Sequence, residues 1–393
     1  MKPRTERVSR GPARTAVAAA LLCGLASASA RAQEAGGPAE RWLMFRGDPS
    51  LTGVSASRLP DDLRPQWVFE VPEGIESAAA IAGGTVYVGA LDGVLYAVDL
   101  ASGKLRWKYE TGAEIRSSPS VGAGRVFFGD SAGVFHAVDA STGARRWTFE
   151  AEGEIVSSAN LAGDRVLFGS HDQFLYCLSA SDGTLLWKVE TEGYVYGTPA
   201  VVDGTAVSAG CDGFLRTLRL ADGTVAQKIE IGAYVGASPA VDGARAYFGT
   251  FDNRVLAVDL ARGAVLWSYQ NPERQFPYLS SAAVTGGRVF VGGRDKLLLA
   301  LDASTGRALW TLATRGKVDS SPVVAGARVY VGSAGGELIG ADVETGDVRF
   351  RFDAGSAILA SPSVAAGRLV VGTTDGRLIC FAGGAAPGAR QGD

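Results

Sequence analysis

Ala137-Val138-Asp139-Ala140-Ser141-Thr142-Gly143-Ala144-Arg145-Arg146-Trp147 is the stretch that decides the fold. Ala300-Leu301-Asp302-Ala303-Ser304-Thr305-Gly306-Arg307-Ala308-Leu309-Trp310 repeats it. So do Ala97 to Trp107, with Ser102 in place of the Thr, and Ala257 to Trp267, with Arg262 there. The Asp-x-x-Thr-Gly piece is a turn, because Asp bonds amides two residues on and Gly supplies a positive φ. The tryptophan after it keeps time. Trp67, Trp107, Trp147 and Trp187 are 40 residues apart, the next step lands on Gln227, and Trp267 follows. Trp310 comes after 43 residues and Phe350 after another 40, giving eight register points.

Working outward, each unit opens on a Ser-Ser-Pro-like piece and carries short alternating runs bounded by Gly and Asp, the signal of β-strands. One unit reads Ser117-Ser118-Pro119-Ser120-Val121, then Arg125 to Gly129, then Gly133 to Val138, then Trp147 to Glu150. Four short strands repeated every 40 residues describe the blade of a propeller. Seven complete blades span 75–110, 115–150, 155–190, 195–230, 235–270, 278–313 and 318–353. An eighth begins at Leu359 and has only three strands. Its fourth stands at the other end of the sequence as Gln66-Trp67-Val68-Phe69-Glu70. The fold class is therefore all-β: an eight-bladed β-propeller of four-stranded antiparallel blades, the ring closed by the N-terminal strand, which removes two open edges. An open solenoid needs capping repeats and no complementary ends. A Trp-Asp type of propeller is disfavoured, because that dipeptide and a Gly-His entry are absent and the Trp opens its strand after a Thr-Gly turn.

Outside the repeat, residues 1–32 read as a cleaved export signal. Lys2, Arg4, Arg7, Arg10 and Arg14 precede an uncharged apolar run from Thr15 to Leu25, and Ala28 to Ala32 offers small residues for cleavage. No twin-arginine pair is present, and Leu22 before Cys23 argues against lipidation. No later run is long enough to cross a membrane. The expectation is a periplasmic or secreted protein with a lead-in at 33–64, a propeller at 65–383 and a disordered tail at 384–393. The lead-in residues Arg41 to Pro49 are expected to pack their apolar side chains on the ring.

The whole chain of 393 residues has a formal charge of −3. Without residues 1–32, which hold six basic residues and one acidic, 32 basic and 40 acidic residues remain, a net of −8. No basic cluster survives, which disfavours nucleic acid as a partner. Cys177, Cys211 and Cys380 form no framework of pairs and read as buried small hydrophobes. His136 stands where other units have Tyr96 or Tyr176, which suits packing, and His171 lies in a turn with no second metal-binding His. The Asp-Gly pairs at Asp92, Asp212 and Asp375 recur at one position and read as hairpin turns.

The Ala-x-Asp-x-x-Thr-Gly-x-x-x-Trp pattern resembles the tryptophan-docking motif of the quinoprotein-type propellers, also called PQQ-like repeat proteins. Trp42-x-x-Phe45-Arg46-Gly47 is similar to the lead-in of secreted members. The resemblance covers residues 65 to 383 and implies that Trp67, Trp107, Trp147, Trp187, Trp267, Trp310 and Phe350 wedge between neighbouring blades. It implies two classes of function: dehydrogenases holding pyrroloquinoline quinone and Ca²⁺, and non-enzymatic scaffolds of the BamB-like kind. The first is disfavoured. Eight blades of 40 leave no residues for a cofactor chamber, no vicinal cysteines are present, and no cluster of acidic ligands of the kind Ca²⁺ requires is evident. No catalytic residues, cofactor or metal are therefore expected. The expectation is a monomeric ring that binds an envelope protein or peptide; a carbohydrate or small-ligand binder is the remaining alternative.

Variation around the ring points to the contact surface. Just before the Ser-Ser-Pro position stand Glu76, Arg116, Val156, Tyr196, Gly236, Leu279, Asp319 and Leu359; two residues earlier stand Gly74, Glu114, Glu154, Tyr194, Tyr234, Pro277, Lys317 and Ala357. These are expected at the start of each innermost strand, lining one mouth of the channel, where concave sites form. The three extra residues of the 43-residue step fall in the loop ending Phe276-Pro277-Tyr278, beside the same mouth. The expected contact set is Glu76, Glu114, Arg116, Glu154, Tyr194, Tyr196, Tyr234, Phe276, Tyr278, Lys317 and Asp319.

Overall fold

The computed structural model describes residues 37–384; the expected export signal at 1–32 and residues 385–393 of the expected tail lie outside them. Eight sheets follow one another; seven have their antiparallel strands in sequence order from innermost to outermost, and the eighth takes its outermost strand from ahead of the first blade. The second blade is representative: Ser120–Gly122, Arg125–Gly129, Val134–Asp139 and Arg145–Glu150. In the last blade, Arg64–Glu70 pairs antiparallel with Arg377–Ala382, with Trp67 opposite Cys380. This is the closure expected from the two ends of the sequence.

Each outermost strand carries one extra residue just before the register point. In the first blade Val98 pairs with Leu105 and Ala97 with Trp107, which leaves Arg106 unpaired. The same bulge precedes Trp67, Trp147, Trp187, Gln227, Trp267, Trp310 and Phe350. A bulge re-aims the side chain that follows it. Here it turns the indole toward the next blade. Trp107 donates its indole N–H to the carbonyl of Ala140 at 3.1 Å, and Trp67, Trp187, Trp267 and Trp310 make the same bond to Leu100, Leu220, Ala303 and Val343. Trp147 reaches Ala180 at 3.4 Å.

The indole also explains the turn glycine. Gly143 has φ +74°, and a Cβ there would stand 2.6 Å from the ring of Trp107. Only glycine meets both demands, the left-handed backbone and the close approach. Gln227 faces Gly263 in the equivalent place, and its buried Oε1 has no hydrogen-bond partner among the described residues. Phe350 has no N–H to donate and meets Phe381 edge-on, with centroids 5.8 Å apart.

The lead-in does more than rest on the ring. The innermost strands expose an unpaired edge to the channel, and backbone groups left so must be satisfied. Carbonyls of the lead-in do this blade by blade. Leu43, Pro49, Ser50, Thr52 and Gly53 accept the amides of Val121, Val201, Val241, Val284 and Val324. Trp42 exchanges both bonds with Ile81, Asn160 donates its side-chain amide to Pro49, and Ser55 donates its hydroxyl to Val364. Val54–Ser55 adds a parallel fifth strand to the seventh blade. The segment thus makes one circuit and touches all eight blades. Trp42 and Met44 pack as expected and are buried. Phe45 instead lines the channel cavity, and Arg46 is buried against the carbonyls of Ala282 and Pro322.

Removing the closing strand, residues 64–70, should leave Arg377–Ala382 as an open edge. Size-exclusion chromatography should then show oligomers or aggregate; a monomer with unchanged melting temperature would contradict the closure. Gln227→Trp should raise the melting temperature by a few degrees, because the slot over Gly263 and the bulge are both retained and a buried aromatic covers about 150–250 Å². In the parent protein, amide exchange should be fastest in the blade at residues 195–230.

The turn aspartates tie stability to pH. Hydrogen bonds from Arg106 and Ser102 hold Asp99 well below the usual carboxylate range, and those from Ser304 and Thr305 hold Asp302 at about 2. A depressed folded pKa stabilises fully above the unfolded value and is lost as pH falls through the folded one. Thermal melts should therefore lose stability from just above pH 3.8 down to about 2, and Asp99→Asn with Asp302→Asn should flatten that acid limb.

Candidate functional site

The loops that lead into each blade build one mouth of the channel. The residues expected at the start of the innermost strands lie instead on these loops, because the strands are only three residues long and begin later, as at Ser120–Gly122. Along each loop exposure alternates. Ile75, Ile115, Ile155, Val195, Val235, Tyr278, Val318 and Ile358 are buried between more exposed neighbours. Most of them press on a glycine that ends the second strand of the preceding blade; a Cβ on Gly89 would lie 2.2 Å from Ile115 Cγ2. The loops are therefore rigidly seated.

Glu76, Arg116, Val156, Tyr196, Gly236, Leu279, Asp319 and Leu359, one from each blade, surround a cavity of about 180 Å³. Phe45 of the lead-in also lines it, and the structure thus closes the channel on the far side and leaves this mouth open. Below these residues runs a ring of hydroxyls. The amides of Ala78, Ser118, Ser158, Thr198, Ser238, Ser281 and Ser321 donate in turn to the side-chain oxygens of Ser118, Ser158, Thr198, Ser238, Ser281, Ser321 and Ser361, at 2.8 to 3.1 Å. Ala78 alone brings no hydroxyl. The second residue of each Ser-Ser-Pro-like piece thus joins neighbouring blades, while the first, at Ser77, Ser117 and Ser280, clamps its own blade by bonding Gly89, Gly129 and Gly292.

Two ion clusters stand on the rim, one on the first and second blades and one on the sixth and seventh. Arg116 bridges Glu76 at 2.5 Å and Glu114 at 2.7 Å. Asp319 receives Arg294 at 2.9 Å and Lys317 at 2.8 Å. Burial alone would raise the Asp319 pKa, but the bonds from Arg294 and Lys317 outweigh it and hold the carboxyl ionised. Both clusters are internally neutralised in large part, so they shape the rim more than they charge it.

Between them lies an arc of aromatics. Tyr194 is 47% exposed, Tyr234 61%, Phe251 41% and Phe276 49%. His171 stacks on Tyr194 at 5.0 Å and meets Tyr196 at 4.4 Å, with Glu154 3.3 Å from its Nδ1. Burial pulls the His171 pKa down against the pull of Glu154 and Asp172. Phe214, Tyr234 and Phe251 border a groove of about 540 Å³ between the fourth and fifth blades. Phe251 and His171 were missed by the sequence reading because they sit in the hairpins between second and third strands. Those hairpins share this face, so the repeat positions held the signal.

Tyr278 does not belong to the surface. It is fully buried and its hydroxyl points at Asp295, because it occupies the Ile/Val position of the alternation. Asn271 and Arg274 pin the rest of that loop to Asp295, which leaves Phe276 outside. His136 is buried in a polar chain, 2.9 Å from Asp130 and 3.2 Å from the Tyr109 hydroxyl. Tyr96 and Tyr176 bond Asp92 and Asp172 in the same way, so His136 holds a hairpin. Cys177 and Cys380 are buried with thiols pushed up to about 12 by burial.

The family model described as "Outer membrane protein assembly factor BamB" matches residues 52–173, 151–276 and 273–383. The chain belongs to this family. Among solved structures, BamB from Moraxella catarrhalis superposes with a TM-score of 0.71 at 19% identity, covering 82% of this chain and 100% of that one. The quinohemoprotein alcohol dehydrogenase of Comamonas testosteroni gives 0.76 at 14% identity, covering 93% and 84%. The computationally designed Ika8 protein gives 0.71 at 18%, covering 80% and 97%. At these identities the likeness is one of fold. No curated protein matches the chain.

The mouth residues do not fit a quinone with Ca²⁺. A calcium site needs six or more oxygens with free carboxylates. Glu76 and Asp319, the carboxylates that reach the cavity, are bound to Arg116 and to Arg294 with Lys317. Among the described residues no three His, Cys, Asp or Glu side chains are placed to share a metal.

Proposed function

We propose that this BamB-family chain is an exported, non-catalytic scaffold of the cell envelope that captures a protein partner on the open mouth of its ring. One observation carries the reading: the mouth opposite the lead-in presents Tyr194, Tyr234, Phe251 and Phe276 on loops held rigid beneath. Large rings on a preorganised surface lose little freedom on binding, and aromatics dominate the energetics of interfaces. The flanking clusters around Arg116 and Asp319 supply polar rims that orient a partner. Family membership supports an envelope role, as does the export signal read at residues 1–32. No helix of the described residues is long and apolar enough to cross a membrane. The ring is proposed to act as a monomer.

The test is capture from crosslinked envelope extracts, followed by affinity measurement with the purified partner. Tyr194→Ala, Tyr234→Ala and Phe276→Ala together should weaken binding at least about tenfold, since hot-spot truncations cost about 2 kcal/mol or more. All three side chains are largely exposed, so the melting temperature should hold. Leu105→Ala, Leu185→Ala and Val265→Ala on the outer strands should leave binding unchanged. The reverse pattern would move the interface to the outer rim.

A further inference from the structure

The channel floor carries donors and no acceptors for them. A hydroxyl that accepts an amide N–H keeps its own proton to donate. None of the seven ring hydroxyls has an acceptor for that proton within hydrogen-bonding distance among the described residues. All seven are more than nine-tenths buried, and all line the cavity of about 180 Å³. Buried polar groups in folded proteins are as a rule paired.

A second observation comes from the other side of the floor. Arg46 is 1% exposed, and its Nη2 bonds the carbonyls of Ala282 and Pro322, the residues that directly follow Ser281 and Ser321. Its Nε and Nη1 have no partner among the described residues. Asp48 is engaged by the amide and hydroxyl of Thr52 and makes no ion pair with Arg46. Burial lowers the Arg46 pKa to about 9, which still leaves a cation at neutral pH. Three more carbonyls of the same layer are already capped: Ala159 by Ser120, Pro199 by Asn160 and Ala79 by Ser363. A cation would find few oxygens there.

We propose that the channel floor is a binding site for a small inorganic anion of halide size, held by the hydroxyl ring within the field of Arg46. The O–H groups on the side of Ser281 and Ser321 donate to it, waters carry the remaining hydroxyls, the guanidinium bound to the carbonyls behind those two serines balances its charge, and Phe45 lines the cavity beside it. The cavity has room for such an ion with a few waters, each of about 30 Å³. It is too small for a bulky organic acid.

Bromide is the probe. Crystals of the full chain grown or soaked in sodium bromide should show an anomalous scattering peak inside the hydroxyl ring. In solution, sodium bromide should raise the melting temperature saturably relative to sodium gluconate at equal ionic strength. Arg46→Met, and separately Ser281→Ala with Ser321→Ala, should raise the half-saturating bromide concentration at least tenfold; Ala78 shows that the ring accepts alanine. The site is refuted if the channel holds water alone at saturating bromide, if gluconate stabilises equally, or if both variants keep the parent's bromide response. Should the variants fail to fold, the peak in the parent protein decides by itself.

Discussion

An indole laid over a glycine turn of the next blade is the contact from which the ring is built. It fixes blade to blade by a directed hydrogen bond and a packed face together, and it can be made only when the turn has no Cβ. The bulge before each register point exists to serve it. The bulge persists at Gln227 and Phe350, so the backbone keeps the docking geometry after the side chain has changed. Ring geometry is thus stored in the main chain and read out by the tryptophans.

Those features were legible because they recur. A turn, a strand and a wedge recurring around eight register points leave a period that outweighs any local ambiguity, and the closing strand followed from counting. What lay outside the period was harder to read. The path of residues 39–57 depends on which inner-strand amides stand free, and that is decided only after the ring has formed. Phe45 was therefore expected to pack on the ring with the other apolar residues of the lead-in and proved to line the channel cavity.

The mouth shows the same division. Tyr194, Tyr234 and Phe276 were recognisable as departures from the repeat, and their exposure follows from the alternation along each loop. Tyr278 departs from the repeat just as visibly, yet it occupies a buried step of that alternation and packs over Gly249. Departure marks a residue, and the parity of its position decides which way it faces. His171 and Phe251 join the aromatic arc from a different hairpin, a proximity that only the folded sheet creates.

The strand that completes the last blade is separated from its partner by some three hundred residues, Trp67 standing opposite Cys380. Contacts of such span form late, because the loop they close carries a large entropic cost until the intervening structure exists. Seven blades can assemble in order from neighbouring segments while residues 39–70 wait without a complete set of partners. Synthesis therefore delivers an almost finished arc with a loose end, and the segment around residue 380 acts as the latch that converts arc to ring. Folding of this chain is a sequence with a distinct final step, and its most vulnerable species is the one that lacks only that step.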